Sequence, residues 1–304
     1  MSLEVALTEQ ELAAQASGSK RVGKNRSWLA SKIFWSALVL VLMAFLALFG
    51  PLFAPDPTLI NPEAPTLSPF KTSADGVFHF FGTDDLGRDL FSRIAVGAQI
   101  SLLIGLATAL VSVLIGTLYG TVAAYFEGRA DTLMMRVIDV IYSLPSLMIV
   151  ILFSVFLGRN IASLVLALSL FSWPDTARII RGQVLQLKRE EFVEAYHSLG
   201  GGAIRLALRH LIPNLTGLII LTATITVPRA ILTESTLSFI GLGVEPPLSS
   251  WGTLASEGWQ LVRVAPHLLL FPALMIFITM VALNLLGDAL RDHFDPKTKN
   301  RSSH

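Results

Sequence analysis

The sequence predicts an all-α membrane protein with six transmembrane helices, and three observations carry that prediction. The chain is too apolar for a soluble domain: 53% of its 304 residues are hydrophobic, 15% are charged and the mean hydropathy is +0.63, whereas about a quarter of an ordinary soluble domain is charged. Several uncharged runs reach the roughly 20 residues that a helix needs to cross a hydrocarbon layer about 30 Å thick. Lysine and arginine crowd onto alternate connecting segments, the bias by which membrane chains set their orientation. The same composition excludes other classes. A net charge of +1 offers no basic field for nucleic acid. The absence of cysteine removes disulfide scaffolds, thiolate metal sites and cysteine nucleophiles together. Six histidines scattered without ligand spacing give no metal site.

Residues 1–32 are polar, small and charged with no apolar period to bury, and read as a tail. The first span is Ile33 to Phe53. It exceeds the roughly 7 to 15 residues of a signal-peptide core and no small-x-small cleavage site follows, so it is expected to stay in the protein. The second, Ile100 to Phe126, is long enough to tilt. Small residues line one ridge of it: Gly97, Ser101, Gly105, Ala109, then Ser112, Gly116, Gly120 and Ala124. Such a ridge lets another helix approach closely, so ordinary packing in a core helix is expected rather than pore lining. The third span is Leu133 to Leu157, with Arg136 and Asp139 only in its first turns. The fourth, Ile161 to about Ile180, is interrupted at its far end by Asp175 and by Arg178, which is placed to snorkel. Leu211 to about Thr233 and Leu268 to Gly287 complete the six. Pro145 and Pro174 are placed to kink helices beside a path. Arg229, within the fifth span, is read as lying near its outer end, structural first and a contact for a substrate carboxylate second. Asn284, Asp288 and Arg291 read as structural pairs at the inner end of the sixth.

Seventeen of the 23 lysines and arginines fall on the segments that are inside if the N-terminus is inside, which predicts both termini in the cytoplasm. The membrane domain is then 33–297, with a proline-rich external loop at 54–97, a cytoplasmic loop at 181–212, an external loop at 234–266 and a short cytoplasmic tail at 298–304. Two strings mimic a phosphate-binding loop. Gly18 to Asn25 ends in Asn where a metal-binding hydroxyl is needed, and Gly82 to Asp89 carries Asp84, Asp85 and Asp89, which would repel phosphate. Neither is an ATP site. The Gly82 to Arg93 stretch instead places Leu86, Leu90 and Ile94 at four-residue spacing, the pattern of an interfacial helix.

The cytoplasmic loop is the most distinctive stretch. It runs from Arg189 through Glu194, Ala195 and Tyr196 to Gly200, Gly201 and Gly202, then through Ala203, Arg205 and Arg209 to Pro213. A helix rich in Glu, Ala and Leu is stopped by the glycines, a short second helix follows, and Pro213 opens the next span. This helix-turn-helix resembles the EAA loop of permease subunits of ATP-binding-cassette importers, with Glu194, Ala195, Gly200 and Pro213 at the pattern's positions. Tyr196 stands where that pattern has its third residue, Ala. The run Phe81 to Arg93, including Gly82, Thr83, Asp84, Gly87, Arg88 and Asp89, is similar to the stretch before the second span in the dipeptide, oligopeptide and nickel permeases. So are Ser172 to Gln183, Glu234 to Gly243, Pro246 to Gly252 and Gly287 to Lys297. The closest likeness is to the C-type oligopeptide permease subunit.

The resemblance implies the type I ABC importer permease fold and a set of partners. These are a homologous second permease subunit, two ABC ATPase subunits on the inner face, an external solute-binding protein, a peptide substrate and the lipid bilayer. It implies no cofactor on this chain and no catalysis by it, with ATP and Mg held by the ATPases. The short helix of Gly201, Ala203 and Arg205 would dock in a groove on an ATPase, and Glu194 would pair with a basic ATPase residue or with Arg205 or Arg209. Dipeptides, longer peptides, glutathione-like molecules and nickel chelates remain open as cargo. An ion-coupled secondary transporter is the alternative, but the central parts of the spans lack the carboxylates it needs. An intramembrane hydrolase would need a buried nucleophile with a facing base, and none is evident.

Overall fold

The computed structural model describes residues 31–294, which are built mainly of helices. Helix α1 (Ser31–Leu52) ends in a tight 3-10 turn and lies on the periphery. A loop then carries a small antiparallel hairpin, β1 (Lys71–Thr72) with β2 (Phe78–His79), which the hydropathy pattern does not record. Helix α2 (Leu90–Phe126) has 37 residues and so measures about 55 Å at 1.5 Å per residue, well beyond a hydrocarbon core. The chain is therefore already helical from Leu90, inside the stretch 54–97 expected as an external loop. The look-alike at Gly18 to Asn25 lies outside the described residues.

The third span is not one helix. Helix α3 (Gly128–Ser143) and helix α4 (Ser146–Leu157) meet at 81°. The break falls at Pro145: its ring disfavours the helical conformation for the residue before it, and here Leu144 is extended at φ −84°, ψ 139°. Helix α5 (Ile161–Leu187), in contrast, runs through Pro174 without interruption. Helices α9 (Thr216–Phe239) and α11 (His267–Phe294) follow later in the chain. Among the described residues, α1, α2, α9 and α11 are long and apolar enough to cross a membrane, and α3 with α4 make a fifth candidate. Helix α5 falls short because Asp175, Arg178 and Arg181 occupy its second half.

Helix α2 is the core of the bundle, and its small-residue ridge is why. Every member of the ridge is buried. A Cβ at Gly105 would lie 2.8 Å from Ile231 of α9, and one at Gly120 would lie 2.4 Å from the Ala177 carbonyl of α5. The close-packing role expected from the sequence is what the ridge performs. At one end of the bundle, Leu90 and Ile94 pack with Leu268 and with Trp251 of α10 (Trp251–Gln260). The Trp251 indole donates to the Ile94 carbonyl at 3.1 Å. At the opposite end, α6 (Glu191–Ser198), α7 (Ala203–Leu206), a π-helical turn (Ala207–Leu211) and α8 (Ile212–Asn214) form a shelf under α2 and α5. Asp288 and Arg291 are exposed, and no ion pair among the described residues joins them.

Candidate coupling loop and translocation cavity

The shelf is welded to the bundle on one side and open on the other. Val193 of α6 and Leu206 of α7 are buried against Ala124 of α2 and against Ile180 and Val184 of α5. Lys188, capping α5 just before the shelf, ties that helix to α2 by donating to the Ala124 and Tyr125 carbonyls at its end, at 3.2 and 2.9 Å, and to Glu127 at 2.7 Å. These are orphan groups of a helix C-terminus, which a lysine satisfies well. Helix α6 stops in a Schellman turn: Gly200 adopts φ +74° and the Gly201 amide donates to the Tyr196 carbonyl at 3.1 Å. On the open side Leu199, Ile204 and Leu208 are exposed, Leu199 to 88%.

The residues expected to act here are spread along this shelf. Glu194 and Ala195 are exposed on α6, Gly200 and Gly201 make the turn, Ala203 opens α7, Arg205 is exposed on it, and Pro213 sits in α8. No ion pair among the described residues joins Glu194 to Arg205 or Arg209. Tyr196 lies over Gly201, where a Cβ would come within 2.0 Å of its ring, and its ring centroid is 5.1 Å from that of His210.

The Gly82 to Arg93 stretch is not the interfacial helix expected. Gly82 and Gly87 take φ +82° and +74°, which no helix accommodates, and the helix starts only after Asp89, whose carboxylate accepts from the Ser92 amide at 2.8 Å. The motif is a clamp. Asp84 accepts from the Leu86 and Arg88 amides at 2.9 Å, and from the Arg88 and Arg93 guanidinium groups at 2.7 Å. Arg93 continues to Glu257 of α10 at 2.6 Å. Thr83 is buried; its hydroxyl donates to the Ala64 carbonyl and accepts from the Leu67 amide. The ring nitrogen Nδ1 of His79 sits 2.7 Å from Asp89. The Ser73 hydroxyl, donating to Asp75, holds that exposed carboxyl below its ordinary range. Gly82, Thr83, Asp84, Gly87 and Asp89 are thus buried in the chain's own loop, and the bridges to Glu257 and His79 had no signature in local spacing.

Between these ends lies a cavity of about 650 Å³, lined by α5, α9 and the α3–α4 corner. Asp175 accepts from Arg229 at 3.1 Å and from the Tyr142 hydroxyl. Arg178 lies 4.5 Å from the Tyr142 ring centroid and donates to Asp139 at 2.6 Å. Arg229 is in the middle of α9, not near its end. A lone central charge costs about 2.5–3.5 kcal/mol in a membrane helix, so these groups turn toward one another and the cavity. Opposite charges near the middle of two apolar stretches were the available signal.

The comparisons agree on one family. Residues 112–300 match the binding-protein-dependent transport system inner membrane component. The chain is 44% identical over 266 residues to the oligopeptide transport system permease protein OppC of Bacillus subtilis, covering 86% of this chain and 84% of that one. It is 42% identical to the dipeptide transport system permease protein DppC of the same organism, over 92% of this chain and 85% of the relative. It is 40% identical to the glutathione transport system permease protein GsiD of Escherichia coli, over 87% and 86%. A helical bundle with several membrane-spanning helices, a central helix packed through its smallest residues and this likeness along most of its length place the chain in the family of binding-protein-dependent transport system inner membrane components.

Proposed function

We propose that this chain is one permease subunit of an ATP-driven peptide importer. It crosses the bacterial inner membrane six times, with α5 as the sixth span and both termini in the cytoplasm, and forms half of the translocation path. A homologous second permease supplies the other half, two ABC ATPases carrying ATP and Mg bind beneath, and an external solute-binding protein delivers the peptide. The bias of lysine and arginine supports this orientation. The relatives' names, which give oligopeptide, dipeptide and glutathione transport, support the cargo class.

The observation that carries the proposal is the two-sidedness of the α6–α7 shelf. A part that transmits force between a soluble ATPase and membrane helices must be stiff toward the helices and adhesive toward the ATPase. Val193 and Leu206 fix the shelf to α2 and α5, which Lys188 ties to each other, while Leu199, Ile204 and Leu208 present an apolar edge with no cover of its own. The test is uptake of radiolabelled tri-alanine into vesicles holding this chain with its partner subunits and binding protein. Uptake is expected with ATP and no ion gradient. Uptake driven by an ion gradient without ATP would establish the secondary transporter instead.

A further inference from the structure

We propose that Asp175 and Arg229 form a subsite for the charged ends of a zwitterionic peptide, with Arg229 receiving the terminal carboxylate and Asp175 the terminal ammonium. The inference rests on the peptide reading above and specifies where on this chain the cargo is held in transit.

The pair is open where the Arg93–Asp84 bridge is closed: there the side chains are 6% and 5% exposed. The neighbouring Arg178–Asp139 pair shares that openness, at 47% each. The side chains of Arg229 and Asp175 are 69% and 48% exposed, although they lie midway along α9 and α5. Charged groups at such positions face a watery passage or protein rather than lipid, and here they face the cavity of about 650 Å³. The contact between them is a single one, Arg229 Nη1 to Asp175 Oδ2 at 3.1 Å. A guanidinium presents a planar fork that accepts a carboxylate through two parallel hydrogen bonds, so a peptide carboxylate offers Arg229 more than Asp175 does.

Charge is conserved when a zwitterion enters. Its carboxylate takes the place of Asp175 at Arg229 and its ammonium takes the place of Arg229 at Asp175, so no ion is left unpaired. Among the charged residues lining the cavity, Asp175 is negative and Arg178 and Arg229 are positive, with Arg178 held by Asp139 at 2.6 Å. A wall that presents both signs engages both ends of a zwitterion, and because Asp175 and Arg229 re-pair when it departs, the ligand can also leave, as a conduit requires.

The experiment uses the whole importer in vesicles with saturating binding protein and tri-alanine as probe. The double variant R229Q with D175N leaves no charge stranded. Its uptake is expected to fall about tenfold or more at equal amounts of assembled importer. Uptake at the wild-type rate would overturn the proposal, as would normal uptake by the double variant beside failure of R229Q alone, the signature of a structural pair. The unsubstituted importer gives a second arm that does not depend on a variant folding. Alanyl-alanyl-photoleucine, irradiated during turnover, is expected to label residues 222–233 of α9 or 172–179 of α5, and labelling confined to other segments would overturn the proposal. An unsubstituted importer that takes up no tri-alanine refutes the peptide reading itself, whereas normal uptake by it and by the double variant alike refutes only the subsite.

Discussion

Gly200 and Gly201 are adjacent and constrained for different reasons. At Gly200 a Cβ would meet nothing within 4 Å, but φ is +74°, which costs a side-chain-bearing residue roughly 1–2 kcal/mol. Asparagine tolerates that region and valine does not. Gly200→Asn is therefore expected to retain most ATP-driven uptake, while Gly200→Val stays in the membrane and loses it, as read from uptake at matched membrane abundance. Gly201 has space as its problem: a Cβ would sit 2.0 Å from Tyr196 Cε1. Gly201→Ala is expected to cost about 1–3 kcal/mol locally, and adding Tyr196→Ala should recover much of it, checked by hydrogen-exchange protection of the α6 amides. The first glycine was legible in the sequence because a helix ending in glycine is a local signal. The second was not, because nothing in the spacing says that the ring of Tyr196 folds back over it.

The elements show the same division between local and long-range information. The ridge of α2 could be read from its four-residue spacing, and its partners could not, since spacing names a face but not what lies on it. The structure gives the lower half of the ridge to α5: a Cβ at Gly116 would lie 2.7 Å from the Trp173 carbonyl, and at Gly120 2.4 Å from that of Ala177. Both near neighbours are backbone, which cannot rotate away. Gly120→Leu is expected to prevent α5 from seating, at a cost of about 3 kcal/mol or more, and detergent-solubilised protein should melt several degrees lower or fail to accumulate. A normal melting temperature would mean that α5 can shift on α2. The break between α3 and α4 is the converse case. Composition across Leu133 to Leu157 is continuous, so hydropathy reads one span, and only Pro145 betrays the 81° turn. Likewise Gly82 to Arg93 has helical spacing, but two glycines with positive φ and the cap at Asp89 override it.

At the scale of the molecule, the two ends of the bundle make opposite demands on their surroundings, and labelling can distinguish them. The Gly82 to Asp89 end satisfies its own polar groups through Asp84, Arg93 and Glu257, whereas the α6–α7 end leaves apolar side chains uncovered. A chain without cysteine accepts single cysteines with no background. In intact cells, Asp85→Cys is expected to react with a membrane-impermeant maleimide added outside, and Glu190→Cys only after the membrane is opened; both positions are exposed. Reaction of Glu190→Cys in sealed cells would reverse the topology and remove the shelf from reach of any ATPase. Leu199→Cys carries the argument one step further. Its position is 88% exposed on this chain alone, so in opened membranes it should label fast when the ATPase subunits have been stripped away and slowly, by roughly tenfold, when they are present, because a docked partner excludes water and reagent from an interface core. Equal labelling with and without the ATPases would mean that the apolar edge is not where the motor subunits bind.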